Sequence, residues 1–199
     1  VRQEIEDSLR RLRTDHVDLY LVHWPDRRTA ITETAEALSR LRDEGKIRHA
    51  GVCNYGPDQL ETFRRVMPVA MVQPPYNIFE RGIEADVLPY CHRHEVPLLT
   101  YGVLCRGLLS GKMTADREFT GDDLRQVDPK FQPDRLPQYL EAVDRLDELA
   151  RRNYGRGVIQ LAVRWVLDQG VDVALWGARR PDQLDALDGA FDFDLTEED

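Results

Sequence analysis

Apolar and polar positions alternate between two rhythms along the chain. Residues 1–13 carry Ile5, Leu9 and Leu12 at helical spacing, and the run VDLYLVH at 17–23 is almost wholly apolar. The first pattern predicts an amphipathic helix, and the second a parallel strand buried on both faces. A second helix is expected over 32–44, with Thr32 as N-cap, Ala35, Leu38 and Leu41 facing inward, and Gly45 at its end. Residues 49–55 read as a second strand. Pro57 then opens a helix whose buried face is Leu60, Phe63 and either Val66 or Met67. A third strand at 69–73 is closed by Pro74 and Pro75, a helix follows over 83–94, and 96–101 is the fourth strand.

Residues 107–136 follow neither rhythm and are rich in Gly, Asp and Arg. A loop of that length in a compact domain is usually a functional lid or a mobile segment. Helical spacing returns at 137–153 (Leu140, Val143, Leu146, Leu149, Ala150) and at 157–169 (Ile159, Ala162, Val163, Val166). Residues 171–177 give a fifth strand, and Pro181 opens a helix to about Leu187. Strand–helix alternation predicts an α/β fold with a parallel sheet and right-handed crossovers. No repeat or linker interrupts it, so residues 1–199 are expected to be one domain. Five strands are too few for an eight-stranded barrel of about 250 residues. The chain is therefore either a small open α/β fold or the later part of a barrel.

Composition narrows the partners. The chain is 42% hydrophobic, in the range of soluble globular domains, and carries 27 Lys and Arg against 36 Asp and Glu, a formal net charge of −9. That balance weighs against nucleic acid and anionic membranes. No apolar run approaches the roughly 20 residues a bilayer span requires. The first residues form an amphipathic pattern rather than a secretory signal, and a start at Val1 leads us to expect further sequence upstream. Cys53, Cys91 and Cys105 lack metal-ligand spacing, which predicts no metal site, no disulfide framework and a reducing cytoplasm.

Candidate chemistry gathers at the strand ends, where ligands meet parallel α/β proteins. These ends deliver His23, then Cys53 and Asn54, Gln73, Tyr101 and Gly102, and finally residues 177–180. Each has an ordinary structural explanation: a histidine satisfying a backbone group, a glutamine capping a turn, a tyrosine in the core. Five together predict one shared pocket. Gly177, Ala178, Arg179, Arg180 and Pro181 combine backbone N–H groups, two guanidiniums and a helix start, a set suited to phosphate or else to a solvated surface. Residues 102–112 supply a second glycine-rich basic loop. It is not a P-loop, because Met113 follows Lys112 where Ser or Thr is needed.

The strings LVHWPD, ETAEALSRLRDEGKIR, GVCNY, VQPPYNIFER, LLTYGVLCRGLLSGK and WGARRPDQL, in that order, resemble the aldo-keto reductases over residues 1–199. The resemblance implies a (β/α)8 TIM barrel, of which this chain holds about five strand–helix units, the fourth to the eighth. It implies NADP(H) as cofactor, with NAD(H) second, and a small-molecule aldehyde or ketone reduced to an alcohol. His23 then matches the tetrad histidine that polarises and orients the carbonyl. Cys53 falls where the family usually has Ser, and Asn54 and Gln73 match the groups that hold the carboxamide. Tyr101 matches the aromatic that stacks on the nicotinamide. The segment containing Gly102, Leu104, Arg106, Gly107, Leu109 and Gly111 matches the cover of the pyrophosphate. With Gly177 and Ala178 beside it, Arg179 matches the base that meets the adenosine 2′-phosphate, and Gln183 lies near the adenine end.

Two departures accompany the match: Cys53 is a weaker hydrogen-bonding group than Ser, and Leu187 stands where many members have an adenine-contacting Asn. The family's catalytic Asp, Tyr and Lys belong to the first three units, upstream of residue 1, and Tyr20, Tyr55 and Tyr101 do not replace that Tyr. The 199 residues are accordingly expected to be a segment of a longer reductase and inactive alone. Two other readings compete. One is a non-catalytic cofactor sensor, since the resemblance extends to potassium-channel β subunits. The other is a metal-dependent barrel hydrolase, for which His16, His49, His92 and His94 do not sit at strand ends.

Overall fold

The computed structural model describes residues 1–196 and 198–199. The chain divides into two compact units, Val1–Pro75 with Gly82–Thr100, and Tyr76–Arg81 with Tyr101–Asp199.

In the first unit, α1 (Arg2–Leu12) buries Ile5 and Leu9 and ends on Arg13 in the left-handed region. Leu12, on the same stripe, was expected inside but is 64% exposed at the last helical position before that left-handed turn. Strand β1 (Val17–Val22) pairs in parallel with β2 (Ile47–Cys53), from Val17↔Ile47 to Val22↔Val52. Between them, α2 (Ile31–Asp43) covers the sheet with Ala35, Leu38 and Leu41. Its N-cap is Ala30 rather than Thr32, so Thr32 lies inside the first turn. Helix α3 (Pro57–Arg64) starts at Pro57 as expected and buries Leu60 and Phe63, with Met67 rather than Val66 completing the face.

Strand β3 (Val72–Gln73) extends the sheet in the order β1–β2–β3. A 3-10 turn at Gly82–Ala85 and α4 (Val87–Arg93) replace the single helix expected over 83–94. The break falls at Asp86, whose carboxylate accepts from the Val87 N–H. Pro89 then lies in the first turn of α4, where its missing N–H costs nothing. Strand β4 (Leu99–Thr100) joins through a parallel bridge, Val72↔Leu98.

The strand expected to be buried on both faces is not. No residue of β1 is fully buried, and Leu19 is 37% exposed. The cause is position: β1 is at the end of the strand order, with one neighbour among the described residues. The central strand β2 carries the buried residues Ile47, Ala50, Gly51, Val52 and Cys53.

In the second unit, α5 (Leu136–Tyr154) buries Leu136, Val143 and Ala150, and α6 (Val158–Asp168) buries Val158, Leu161, Ala162, Val163 and Val166. They close on a core of Cys105, Leu108, Leu109, Phe131, Val143, Val158 and Ala162. The 107–136 segment has no α-helix before α5. It is built from 3-10 turns at Cys105–Ser110, Leu124–Gln126 and Pro129–Phe131, the last two capped by the Asp123 and Asp128 side chains. Strand β5 (Val173–Ala174) is short and half exposed, and the helix expected after Pro181 is a single 3-10 turn, Pro181–Leu184. Among the described residues, no helix is long and apolar enough to cross a membrane.

Candidate active site

In the first unit, three strand ends are joined by side chains. His23 follows β1 directly and is exposed, its ring 6.2 Å from that of Trp24. The His23 carbonyl accepts from Asn54 Nδ2 at 3.3 Å. Asn54 follows β2 in the left-handed region (φ 61°), and its N–H donates to the Gln73 carbonyl at 3.2 Å. Asn tolerates that conformation better than most residues. Cys53 Sγ donates to Gln73 Oε1 at 3.1 Å. Burial pushes the Cys53 thiol up to about 11, so it is a protonated donor at neutral pH. With Gln73 Oε1 engaged by Cys53, the Gln73 amide N–H groups are its remaining donors. His23, Cys53, Asn54 and Gln73 therefore form one hydrogen-bonded group at three of the five strand ends.

The second unit holds the remaining sequence-predicted residues. Tyr101 is half-buried and its carbonyl accepts from the Tyr76 N–H at 3.1 Å. After it the backbone turns sharply: Gly102, Cys105, Arg106 and Gly107 have φ of 70°, 46°, 52° and 94°. Leu109 is fully buried in the core, so only its backbone is available to a ligand. Leu104 packs against the same core, and Gly111 (φ 69°) ends the turn. Arg106 remains 45% exposed while its Nε donates to Asp128 Oδ2 at 3.0 Å. Arg125 donates to the Arg106 carbonyl at 3.4 Å, stacks 4.4 Å above the Phe119 ring and pairs with Asp123.

Residues 177–180 are exposed, apart from their backbone tie to Gln183. Gln183 Oε1 accepts the N–H of both Arg179 (2.6 Å) and Arg180 (3.1 Å). Its carbonyl oxygen is therefore occupied in shaping the arginine turn. Arg125's hydrogen bonds, with a smaller contribution from Arg179's charge, hold the Asp123 carboxyl well below the usual carboxylate range. Arg106 and Arg125 thus belong to one neighbourhood of turns, and the charge of Arg179 acts on the Asp123 carboxyl within it. A succession of bridge and left-handed residues, as at Leu104 (φ −91°, ψ 14°) and Cys105, is the backbone form that makes anion-binding concavities. This donor chemistry fits a phosphate-bearing cofactor. Among the described residues, no cluster of three or more His, Cys, Asp or Glu is placed to hold a metal ion.

The aldo/keto reductase family model matches residues 1–199. The chain belongs to the aldo/keto reductase family. It is 56% identical over 198 residues to the aldo-keto reductase YhdN of Bacillus subtilis (strain 168), covering 99% of this chain and 60% of that protein. It is 30% identical over 203 residues to the NADH-specific methylglyoxal reductase of Escherichia coli (strain K12), covering 100% of this chain and 61% of that one. Among solved structures, the glycerol dehydrogenase AKR11B4 from Gluconobacter oxydans superposes with a TM-score of 0.92 at 52% identity, over 99% of this chain and 60% of that chain. The aldo/keto reductase from Klebsiella pneumoniae in complex with NADP and acetate gives 0.74 at 30%, over 99% and 61%. These neighbours are of the TIM-barrel type. The chain spans about 60% of the length of the curated relatives it matches.

Four polar residues went unmarked in the sequence: Asn77, Glu80, Asp128 and Lys130. Asn77 is fully buried and Asp128 nearly so. The local signals were an Asn two residues after the strand-closing Pro75 and an Asp-Pro pair inside the long loop. Neither reveals a partner tens of residues away.

Proposed function

We propose that this aldo/keto reductase chain supplies the carbonyl-orienting and cofactor-holding part of an NADP(H)-dependent reductase that converts an aldehyde or ketone to an alcohol. Its five strand–helix units correspond on this reading to the fourth to eighth of the family barrel. The observation that carries the proposal is the joined group of His23, Asn54, Cys53 and Gln73 at three adjacent strand ends.

Bound nicotinamide would supply the hydride chemistry. The chain's own residues orient and bind. His23 directs a ring N–H at the carbonyl oxygen and stabilises the charge that develops there. Asn54 and the Gln73 amide N–H groups fix the carboxamide, with Cys53 holding the Gln73 oxygen in place. Tyr101 offers a ring face for stacking. Gly102, Leu104, Arg106, Gly107, Leu109 and Gly111 cover the pyrophosphate, with Leu109 acting through its backbone. Gly177 and Ala178 lead into the exposed Arg179, which meets a 2′-phosphate, and Gln183 shapes that turn near the adenine end. Arg179 favours NADP(H) over NAD(H), in line with the NADP-bound Klebsiella pneumoniae relative and in contrast to the NADH-specific Escherichia coli one. Among the described residues Cys53, Cys91 and Cys105 form no disulfide, which supports a reducing, cytoplasmic setting.

The test is NADPH oxidation by the full gene product against a panel of aldehydes and ketones. Turnover that falls by about 100-fold or more in His23→Ala supports the proposal, the usual scale for losing a group that acts on the developing charge. NADPH binding without turnover on any substrate favours the sensor reading instead. Absence of both overturns the proposal.

A further inference from the structure

In the second unit a ring of polar groups closes around the turn at residues 102–106, with Asn77 fully buried and Asp128 nearly so. The Gly102 carbonyl accepts from Asn77 Nδ2 at 2.9 Å, and the same nitrogen donates to Glu80 Oε2 at 2.7 Å. The Phe79 N–H donates to Asn77 Oδ1 at 2.9 Å, which fixes the way this amide faces. Glu80 Oε1 accepts from Lys130 Nζ at 2.7 Å. Lys130 Nζ also lies 3.0 Å from Asp128 Oδ1, and Asp128 Oδ2 accepts from Arg106 Nε at 3.0 Å. The backbone completes the circuit, with the Cys105 N–H donating to the Gly102 carbonyl at 2.7 Å.

The enclosed turn is costly to form. Cys105 and Arg106 are consecutive non-glycine residues in the left-handed region, a conformation that crowds the Cβ and persists only where its surroundings over-determine it. The ring supplies that constraint from both ends of the turn. Asn77 grips the carbonyl of Gly102, and Asp128 grips the guanidinium of Arg106. Lys130 is the keystone, with a side chain only 14% exposed, shared between Glu80 and Asp128. Removing it would take the shared cation from between two carboxylates, of which Asp128 is nearly buried.

We infer that this ring is a clasp, and that Asn77, Glu80, Asp128 and Lys130 are positioning residues that hold the 102–111 segment in its cofactor-covering form. The inference rests on the reading that this segment covers a cofactor pyrophosphate. With its Nε held by Asp128, Arg106 keeps its other N–H groups for an anion at a fixed point. The clasp therefore acts on cofactor retention rather than on the hydride step.

The experiment compares the full gene product with Lys130→Met, Lys130→Arg, Asn77→Ala and a Leu38→Ala control from the first unit. The first readout is amide hydrogen exchange across residues 102–111 in the ligand-free protein. The second is the NADPH dissociation rate by stopped-flow fluorescence. Lys130→Met and Asn77→Ala are expected to speed exchange in 102–111 by about tenfold or more, and NADPH release by about tenfold. Lys130→Arg should restore most of both, and Leu38→Ala should change neither. Unchanged protection in both clasp variants overturns the inference. So does faster exchange in 102–111 with NADPH release unchanged, since the clasp then has no positioning role. Lost protection in a protein whose wild type does not bind NADPH leaves the clasp standing and overturns the cofactor reading.

Discussion

A Cβ placed on Gly51 would stand 2.5 Å from Leu21 Cδ2 and 2.6 Å from the Met71 carbonyl oxygen. The first contact is with a flexible side chain, but the second is with backbone on the far side of β2. The glycine therefore lets β1 and the segment entering β3 approach the central strand together. Gly51→Ala is expected to destabilise the chain by about 1–3 kcal/mol, as overpacking does in close-packed cores, read as a lower urea midpoint with an unchanged slope. Three residues from Gly51, the site residues show what a sequence records at this scale. His23, Asn54 and Gln73 were legible because each ends an apolar run, and a polar group arriving there is conspicuous. Asn77, Glu80, Asp128 and Lys130 were not, because their meaning lies in partners 22 to 50 residues away. Hydrophobic period carries no trace of a long-range polar ring. Gln183 shows a third case: its place was legible, but not that its oxygen is occupied by two backbone N–H groups.

Helices were more legible than strands, and the reason is physical. A helix satisfies its hydrogen bonds locally, so its stripe and its caps are written in adjacent residues. Ladder length depends on a neighbour's register, and 69–73, 96–101 and 171–177 shrink to two-residue ladders in β3, β4 and β5. One helix start is satisfied at a distance. Asp147 of α5 accepts the Val158 N–H at 2.8 Å, capping α6 from the preceding helix. Burial acts to raise the Asp147 carboxyl, but the Arg151 hydrogen bond and the Val158 N–H outweigh it and leave it below the ordinary range. A carboxyl depressed in the folded state adds stability above its unfolded value, about 3.9 for Asp, and that contribution is lost as pH falls through the folded value. Asp147→Ala should therefore cost about 1 kcal/mol at neutral pH. The difference from wild type, measured by urea unfolding across a pH series, should stay flat down to about pH 4 and shrink below it. A constant difference through the acid range would show that the charge on Asp147 is not what caps α6.

At the scale of the whole molecule, β1 is the informative element. Its residues are apolar enough for a doubly covered strand, yet it occupies the end of its sheet, with Leu19 37% and Trp24 60% exposed. An edge strand with unpaired backbone groups is a template for another chain unless charge or a cover blunts it. The only charge on β1 is Asp18, already paired with Arg48 at 2.6 Å on β2. That single exposed pair contributes little protection. The mismatch between an interior-type sequence and an edge position is what the proposed correspondence to the fourth barrel strand accounts for, since a third strand would cover that edge in the family barrel. Expressed as these 199 residues alone, the protein is expected to self-associate as its concentration rises and to show no NADPH-dependent carbonyl reduction. The full gene product should stay monodisperse and turn over. Light scattering coupled to size exclusion, run beside an NADPH oxidation assay, distinguishes the two. A stable monomer with clear reductase activity from residues 1–199 would show that β1 needs no further neighbour and that the chemistry resides within this chain.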